Sequence, residues 1–497
     1  MDNRTLTERY AKVVKYMDAA PIILWYRNDL RLSDLPSLAA AAATGKPVIP
    51  FYILDTHTAH ARSLGGASLW WLHHSLQGLA ASWQCLGTNL VLRQGDPLLL
   101  LPEIAQQSGA DIIYCSRCFE PWAGKLEEDL HKALGEQGVA FKRYGGTLLH
   151  DPGRVTTKAG QPFKVYTPFW RSLSQQEIRE CVAAPSNVKA AKISLDSDAL
   201  DSWQLLPTEP DWAVGLRESW KVGEVAAAER LNEFISAENF AYAEERDRPD
   251  LPATSRLSPH LRFGQISPAM CWHAAALEAG RRPGVESDLE VFRKELVWRD
   301  FSYHLLPHWP ELPRSAFREN FNAFPWQKSA DVVTAWQKGQ TGYPIVDAGM
   351  RELWHTGWMH NRVRMIVASF LTKHLLQPWQ DGEAWFWDCL VDADLAPNAA
   401  SWQWVAGSGA DAAPYFRIFN PITQGQKFDP DGTYVRRWVP EIASLPDRYL
   451  NAPWTCPELG LRSMGVVLGE NYPEPIVDHS TARQRALQSY AAIKVST

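Results

Sequence analysis

The sequence contains few cysteines, no long apolar run and no excess of basic residues. Its seven cysteines are odd in number and scattered, which argues against a disulfide framework and favours a reducing compartment such as the cytosol. The closest pair, Cys115 and Cys118, has zinc- or redox-type spacing, but no second pair accompanies it, so we expect no metal site. No apolar stretch approaches the roughly 18 residues that cross a membrane. With a formal net charge of −6, any contact with nucleic acid requires a local basic patch.

Tryptophan, by contrast, is abundant, with 23 among the 497 residues. Most are expected to supply apolar area to a helical core, although a few could carry electrons or stack on flat ligands. A chain of this length can form two or three domains. Residues 1–18 are mixed in charge and lack the apolar segment of a secretory signal. They are interpreted as an N-terminal extension, in which Met17 could be the start.

Short apolar runs alternate with helical segments over residues 19–150. The predicted strands occupy residues 22–26, 48–54, 89–93, 111–115 and 140–144. Their alternation with helices predicts an α/β domain built on a doubly wound, five-stranded parallel sheet. Ligands bind such sheets at the carboxyl ends of the strands, so the loop YRNDLRLSD after the first strand is a candidate ligand loop. It has no glycine fingerprint, which argues against an NAD-type domain.

The remainder of the chain divides into a connector and a helical part. Residues 151–223 are rich in Pro, Ser, Asp and Gly, with apolar anchors such as FKVYTPFWRSL, and are predicted to be an interdomain linker. Residues 224–497 show helical periodicity with Pro and Gly punctuation. We therefore expect a larger all-α domain after the linker.

Three segments of the helical part combine small, polar and aromatic residues in patterns unlike a simple core. They read ATSRLSPHLRFG (253–264), GWMHNRVRM (357–365) and DADLAPNAASWQW (392–404). Irregular stretches of small residues usually surround a ligand. Hydroxyls ahead of a helix, as in TSRLSP, suit an anion, although without further context such a segment is more often an ordinary helix cap. Together the segments resemble the flavin-binding half of the DNA photolyase/cryptochrome family, and the resemblance covers residues 21–490.

The resemblance implies that FAD is the cofactor. The residues implied to bind it are Tyr242, Thr254, Ser255, Arg256, Leu257, Ser258, Trp298, Asn361, Arg364, Asp392, Ala393, Asp394 and Asn398. Asn398 matches the position that faces flavin N5, where plant cryptochromes have Asp and animal ones Cys. A neutral amide there suits an enzyme that cycles through FADH⁻. Because a buried acid opposite Arg is tolerable only when paired, we also expect an ion pair between Asp392 and Arg364.

Two predicted helical segments place side chains that suit a flat, hydrogen-bonding ligand. Glu295 and Trp298 share one helical face, and so do Asn361 and Met365. Taken alone, Glu295 and Trp298 are an ordinary exposed acid over a core indole. The resemblance implies a catalytic set of Glu295, Asn361, Met365 and Asn398, and a DNA- and lesion-binding set of Arg246, Glu295, Trp298, Arg362, Met365 and Trp404. His360 is expected to be structural.

The Asn361 and Met365 pair also discriminates between subfamilies. Cyclobutane pyrimidine dimer (CPD) photolyases carry this pair, whereas enzymes that repair the (6-4) photoproduct have His at both positions for proton transfer. The resemblance further implies an electron-transfer chain of Trp402, Trp379 and Trp326. Sequence spacing alone shows no such chain.

These features predict light-driven repair of CPDs by electron transfer from excited FADH⁻ to a flipped-out dimer. The alternatives are a cryptochrome-type blue-light receptor without repair activity, a (6-4) photolyase, or a flavin protein without photochemistry. The chain ends soon after FRIFNP without the long tail that usually marks cryptochromes. The segments LSPHLRFG and FKVYTPFWR favour a bacterial class III enzyme over class I.

The resemblance also implies an antenna chromophore. Class I enzymes hold folate partly with an Asn-Glu pair, but the corresponding stretch here reads FEPWAGK. Glu120 and Trp122 remain candidates for another arrangement, with methenyltetrahydrofolate as the first choice and a deazaflavin as the second. The expected partner is UV-damaged DNA, with no membrane partner, and the expected form is a monomer in the bacterial cytoplasm.

Overall fold

The first domain is built on a parallel sheet. The computed structural model describes residues 19–238, 240–411 and 416–494, so the predicted extension, residues 1–18, lies outside the described residues. The strands are β1 (Ile22–Tyr26), β2 (Val48–Asp55), β3 (Val91–Gly95), β4 (Ile112–Ser116) and β5 (Ala140–Tyr144). All pairings are parallel, in the order β3-β2-β1-β4-β5. The predicted sheet is confirmed.

Helices cover both faces of this sheet. They are α1 (Pro36–Ala43), α2 (Gly66–Cys85), α3 (Pro97–Ser108) and α4 (Ala123–Glu136). Alternate residues of β1 enter opposite cores: Leu24 packs with α1 and α2, and Ile23 packs with α3 and α4. All five residues of β1 are therefore buried, as expected for the central strand of a doubly wound sheet. The predicted doubly wound arrangement is confirmed.

The connector contains short helices and packs against both domains. Its α-helices are α5 (Tyr166–Leu173) and α6 (Val214–Ser219), with 3₁₀ turns at Pro152–Arg154 and Leu200–Trp203. Trp203 packs against Tyr52 of β2, with ring centroids 6.2 Å apart. Phe169 of α5 belongs to the core of the helical domain. The connector is thus an ordered strap, although it contains little regular structure.

The helical domain follows. Its α-helices are α7 (Glu224–Ile235), α8 (Tyr242–Glu245), α9 (Ser258–Arg262), α10 (Pro268–Arg281), α11 (Glu286–His308), α12 (Ala330–Gln337), α13 (Pro344–Thr356), α14 (Asn361–Ser369), α15 (Trp379–Cys389), α16 (Leu395–Ala406), α17 (Pro421–Phe428), α18 (Thr433–Trp438), α19 (Asp447–Leu450), α20 (Glu458–Ser463) and α21 (His479–Lys494). The central α16 packs against α11, α14 and α15. Because small residues such as Ala396 and Ala399 are buried on it, neighbouring helices can approach closely.

The candidate ligand loop after β1 is covered by the helical domain. The Leu30 N–H donates to the Phe263 carbonyl (3.0 Å), and the buried Arg31 donates to the Gly264 carbonyl (2.9 Å). Gly264 has φ +64°, and a Cβ there would lie 2.2 Å from the Asn28 carbonyl oxygen. Only glycine tolerates this approach. The loop therefore fixes the segment that contains TSRLSP.

Candidate functional site

The centre of the candidate site is the segment between α15 and α16. Asp392 is buried, and its carboxylate accepts two hydrogen bonds from Arg364 of α14, at 2.8 and 3.2 Å. Arg364 also donates through Nε to the Met359 carbonyl at 2.7 Å. The predicted ion pair is confirmed. Its bidentate geometry fixes α14 against the Asp392 loop.

The next two residues of the segment are held by side chains of α9 and α11. The Ala393 carbonyl accepts from Arg262 Nε at 2.7 Å, and Asp394 accepts from the Tyr303 hydroxyl at 2.5 Å. Arg299 Nε lies 3.4 Å from the second Asp394 oxygen. Burial, reinforced by the Asp394 charge, raises the pKa of Tyr303 well above its usual range. The hydroxyl therefore remains a donor to Asp394.

Asn398 lies in the first turn of α16. Its Nδ2 donates to Glu383 Oε1 at 2.7 Å and to the Glu383 carbonyl at 3.2 Å. The amide nitrogen thus points toward Glu383, and the amide oxygen points to the opposite side. Glu383, on α15, is a site residue that the sequence reasoning missed, because it lies 15 positions away in the chain.

The TSRLSP segment has an unusual backbone. Arg256 has φ +51°, in the left-handed region that non-glycine residues rarely adopt. Its guanidinium lies between the indoles of Trp220 and Trp358, 4.5 and 4.8 Å from their ring centroids. Arg230 donates to the Thr254 and Ser255 carbonyls at 3.0 and 2.9 Å. Trp220 and Arg230 were not predicted; the connector and α7 supply them.

The remaining residues of the predicted cofactor set begin short helices at the same site. Ser258 is the first residue of α9, after Leu257, and Tyr242 is the first residue of α8. Burial raises the pKa of Tyr242, and the nearby Glu295 adds to the effect. Tyr242 therefore stays a neutral phenol that can donate a hydrogen bond.

Several buried donors around this segment have no hydrogen-bond partner among the described residues. They include Arg256 Nε, Arg262 Nη1 and His360 Nε2. Buried polar atoms are normally satisfied, and these three are all donors. An anionic ligand rich in oxygen and nitrogen acceptors, such as a flavin dinucleotide, is complementary to them. The residues present therefore fit FAD.

The predicted lesion acid is paired with a predicted phosphate-binding residue. Glu295 accepts from Arg246 at 2.5 Å, and the two side chains are 30% and 22% exposed. The second predicted phosphate contact, Arg362, forms an ion pair with Asp247 and lies 4.4 Å from the Phe428 ring centroid. Both arginines were assigned to DNA from the sequence, and neither ion pair was anticipated.

The two predicted lesion-binding tryptophans are each held by neighbours. Trp298 stacks on Tyr166 of the connector, with ring centroids 3.6 Å apart and an interplanar angle of 4°. The Tyr166 hydroxyl donates to the Lys294 carbonyl at 2.7 Å. Trp404 Nε1 donates to the Asp411 carbonyl at 3.1 Å. Tyr166 therefore covers one face of the Trp298 indole, and the ring as a whole is half-buried.

Helix α14 begins at the residues that discriminate between subfamilies. Asn361 is exposed at its first position, and Met365 is half-buried one turn later. His360 caps the helix, since its Nδ1 accepts from the Arg362 N–H at 3.2 Å. Burial lowers the pKa of His360 to about 4, so the ring is neutral at pH 7. This arrangement agrees with a structural role for His360.

The three predicted electron-transfer tryptophans differ in burial. Trp402 and Trp379 are buried, and Trp326 is half-buried. Gly382 lies one turn after Trp379 on α15, and a Cβ there would lie 2.1 Å from the Trp402 indole. The sequence reasoning missed Trp336, which is fully buried and packs edge-on against Trp402 at 6.2 Å.

The antenna candidates Glu120 and Trp122 are not equivalent. Glu120 is buried, accepts from Asn28 Nδ2 at 3.3 Å, and lines a small cavity between the α/β domain and α11. Arg299 and Tyr303 line the other side of this cavity. Trp122 does not line it; it lies half-buried at the start of α4.

Residues 19–238, 240–411 and 416–494 contain neither a metal-binding cluster nor a membrane-spanning helix. Within these ranges, no three His, Cys, Asp or Glu side chains are grouped so that they could hold a metal ion. No helix there is both long and apolar enough to span a membrane.

Comparison with known proteins identifies the family. Residues 22–187 match the family model "DNA photolyase", and residues 292–492 match "FAD binding domain of DNA photolyase". A deoxyribodipyrimidine photo-lyase of Agrobacterium fabrum is 50% identical over 97% of this chain and 100% of its own length. Cryptochrome-2 of Arabidopsis thaliana is 34% identical over 93% of this chain and 77% of its own.

Solved structures give the same result. A bacterial class III photolyase from Agrobacterium tumefaciens superimposes with a TM-score of 0.92 at 50% identity, over 96% of this chain and 98% of that one. A Synechocystis cryptochrome gives a TM-score of 0.86 at 32% identity, over 94% and 99%. The chain belongs to the DNA photolyase/cryptochrome family, and its helical domain is the FAD-binding domain of that family.

Proposed function

We propose that the protein is a deoxyribodipyrimidine photolyase that uses light to split cyclobutane pyrimidine dimers in DNA. The observation that carries the proposal is the lesion face beside the flavin site. There α11 carries the partly exposed Glu295 and Trp298, and α14 carries the exposed Asn361 and the half-buried Met365. The 50% identity to a deoxyribodipyrimidine photo-lyase over nearly the whole chain supports it.

In this proposal FAD, when bound, would supply the light-driven one-electron chemistry that opens the dimer. The chain holds FAD with the TSRLSP backbone, the Arg364–Asp392 pair and the Asn398 amide. Trp298 stacks against one base of the flipped-out dimer, and Trp404 borders the other. Glu295 stabilises the charge that develops on the dimer through hydrogen bonds to its carbonyl and imide edges.

The side chains on α14 support the choice of lesion. Neither Asn361 nor Met365 can transfer a proton near neutral pH, whereas the (6-4) reaction needs a proton donor at these positions. The neighbouring His360 holds its Nδ1 on the helix cap and stays neutral. The site is therefore suited to a reaction driven by electron transfer alone.

The proposal is tested with purified, flavin-loaded protein, a reductant and UV-irradiated oligothymidine. Illumination should restore the absorbance of thymine, and a dark sample should not. A parallel sample with a (6-4) lesion should remain unrepaired. If flavin is bound and neither lesion is repaired, the protein is a receptor of the cryptochrome type, and the proposal is wrong.

We further propose that the enzyme is of class III and carries methenyltetrahydrofolate, with a deazaflavin as the alternative. The class III structure with a TM-score of 0.92 supports the class. Glu120, on the cavity beside Arg299 and Tyr303, is the better placed of the two antenna candidates. Heating the purified protein and identifying the released chromophores by mass tests the antenna. Release of FAD alone would contradict it.

The form and location of the protein are also proposals. We propose a monomer that acts on UV-damaged DNA in the bacterial cytoplasm. The support is that all seven cysteines are free, as is usual in a reducing compartment. Sedimentation of the flavin-loaded protein at micromolar concentration should give a single species near 56.0 kDa.

A further inference from the structure

The loop that joins β2 to α2, residues 56–65, reaches from the α/β domain to α15. The Ser63 carbonyl accepts from Trp387 Nε1 at 2.8 Å, and the Gly66 N–H donates to Asp388 Oδ1 at 2.8 Å. A Cβ on Gly65 would lie 2.3 Å from the Trp387 carbonyl oxygen. The loop is therefore fixed closely against α15.

Arg62 of this loop inserts its side chain beside α15. Its Nη1 donates to Glu383 Oε1 at 2.6 Å, and its guanidinium lies 4.2 Å from the Trp387 ring centroid. The Glu383 side chain is 5% exposed, whereas that of Arg62 is 28% exposed. Stacking on an indole and a charge-assisted hydrogen bond together fix the guanidinium. Arg62 thus gives a buried carboxylate its counter-charge from the other domain.

Glu383 passes this constraint to Asn398. The same Oε1 that binds Arg62 accepts from Asn398 Nδ2 at 2.7 Å. An ionised carboxylate only accepts, so it keeps the amide with nitrogen toward Glu383 and oxygen on the opposite side. Arg62 binds this same oxygen, holds it in place as an acceptor and so fixes the orientation of the amide.

We propose that Arg62 is a positioning residue for the flavin, acting through Glu383 to hold the Asn398 carbonyl oxygen toward the cofactor and favour its reduced form. The inference rests on the proposed placement of Asn398 opposite flavin N5. Reduced flavin carries a hydrogen at N5 that an oxygen accepts, whereas N5 of oxidised flavin is itself an acceptor. Without Arg62, either the amide turns or an uncompensated negative charge remains nearby. Both outcomes disfavour reduction.

The test measures the midpoint potential of bound FAD in the purified holoprotein and in Arg62→Met. Methionine keeps the apolar stem but removes the charge. At a fixed applied potential the ratio of reduced to oxidised flavin should fall about tenfold, which is about 30 mV for a two-electron couple. Arg62→Lys, which keeps the charge, should retain most of the wild-type potential. A matched control is Arg93→Met, because Arg93 on β3 is similarly exposed (21%) and pairs with Glu103 of α3 within the α/β domain. The control should leave the potential unchanged.

A double-mutant cycle tests whether Arg62 acts through Glu383. Glu383→Gln should lower the potential, and adding Arg62→Met to it should change the potential little further. Additive effects would overturn the proposal. So would an Arg62→Met protein that melts earlier but keeps its potential, since Arg62 would then be only a contact between domains. Dimer repair by the wild-type protein is measured in parallel. If repair is absent, the proposed function is wrong, whereas the role of Arg62 is decided by the midpoint potentials alone.

Discussion

Replacing Glu295 by glutamine should separate recognition of the dimer from binding of DNA. In the free protein Glu295 is paired with Arg246 at 2.5 Å. Both side chains are partly exposed, so the pair contributes only about 0.2–1 kcal/mol to stability, and the variant should fold normally. The substitution keeps the size of the side chain and removes its charge.

Two opposite changes in affinity are expected from Glu295→Gln. Loss of a hydrogen bond between a carboxylate and the dimer costs about 1.5–3 kcal/mol, which is roughly a 10- to 150-fold loss of preference for damaged over undamaged DNA. At the same time Arg246 is released for phosphate. Removal of one negative charge about 7 Å from a phosphate is worth about 0.6 kcal/mol at the dielectric constant of water, so undamaged DNA should bind roughly threefold more tightly.

The assay is fluorescence anisotropy in the dark at one fixed salt concentration, with matched duplexes that contain or lack one dimer. The control is Glu290→Gln, the same change on the same helix at an acid paired with Lys294 at 2.6 Å. It should alter neither affinity by more than about twofold. If Glu295→Gln weakens both duplexes equally, or changes neither, the assignment of Glu295 to the lesion is refuted. The quantum yield of repair should fall as well.

Three further outcomes follow from the structure. Trp402→Phe should abolish photoreduction of oxidised flavin but leave repair intact in chemically reduced protein; unchanged photoreduction would exclude the proposed chain through Trp402. Asp392→Asn leaves Arg364 without its partner and should cost about 3 kcal/mol of stability, with loss of bound FAD measured by absorbance; full FAD retention would contradict the role of the pair. Burial raises the pKa of Glu352 to about 7 from 4.5, so wild type loses stability as the pH rises from about 4.5 to 7, because the unfolded chain releases this proton first. Relative to wild type, Glu352→Gln should therefore gain about 2.5 kcal/mol between pH 5 and pH 8 in urea unfolding; an equal difference at both pH values would refute the shift.

Local periodicity predicted the fold well. Each predicted strand is present, with ends displaced by one or two residues at most, because buried runs such as IILWY between helical segments have few alternative structures. The ion pair of Asp392 with Arg364 was also predictable, since a buried acid requires a partner. The domain boundaries and the site roles stay predictions.

The pairings across domains were not predictable. Glu383 and Arg62 are 321 positions apart, and the connector brings Tyr166 to Trp298 from 132 positions away. Nothing in a helical period or a motif encodes such distances, because they are set by how the domains dock. The pairing of Arg246 with Glu295 was missed for a related reason. Each residue was assigned separately to a contact with DNA. Because DNA is absent from the free protein, the two opposite charges pair with each other instead.

If Trp298 contacts the dimer as proposed, its stack on Tyr166 makes the connector part of the lesion site. A fragment restricted to the helical domain would retain the flavin-contacting segments yet expose both faces of that indole. The ring could then turn freely and lose the single orientation that a base must meet. Shortening the connector should therefore reduce the selectivity for damaged DNA before it reduces the binding of FAD.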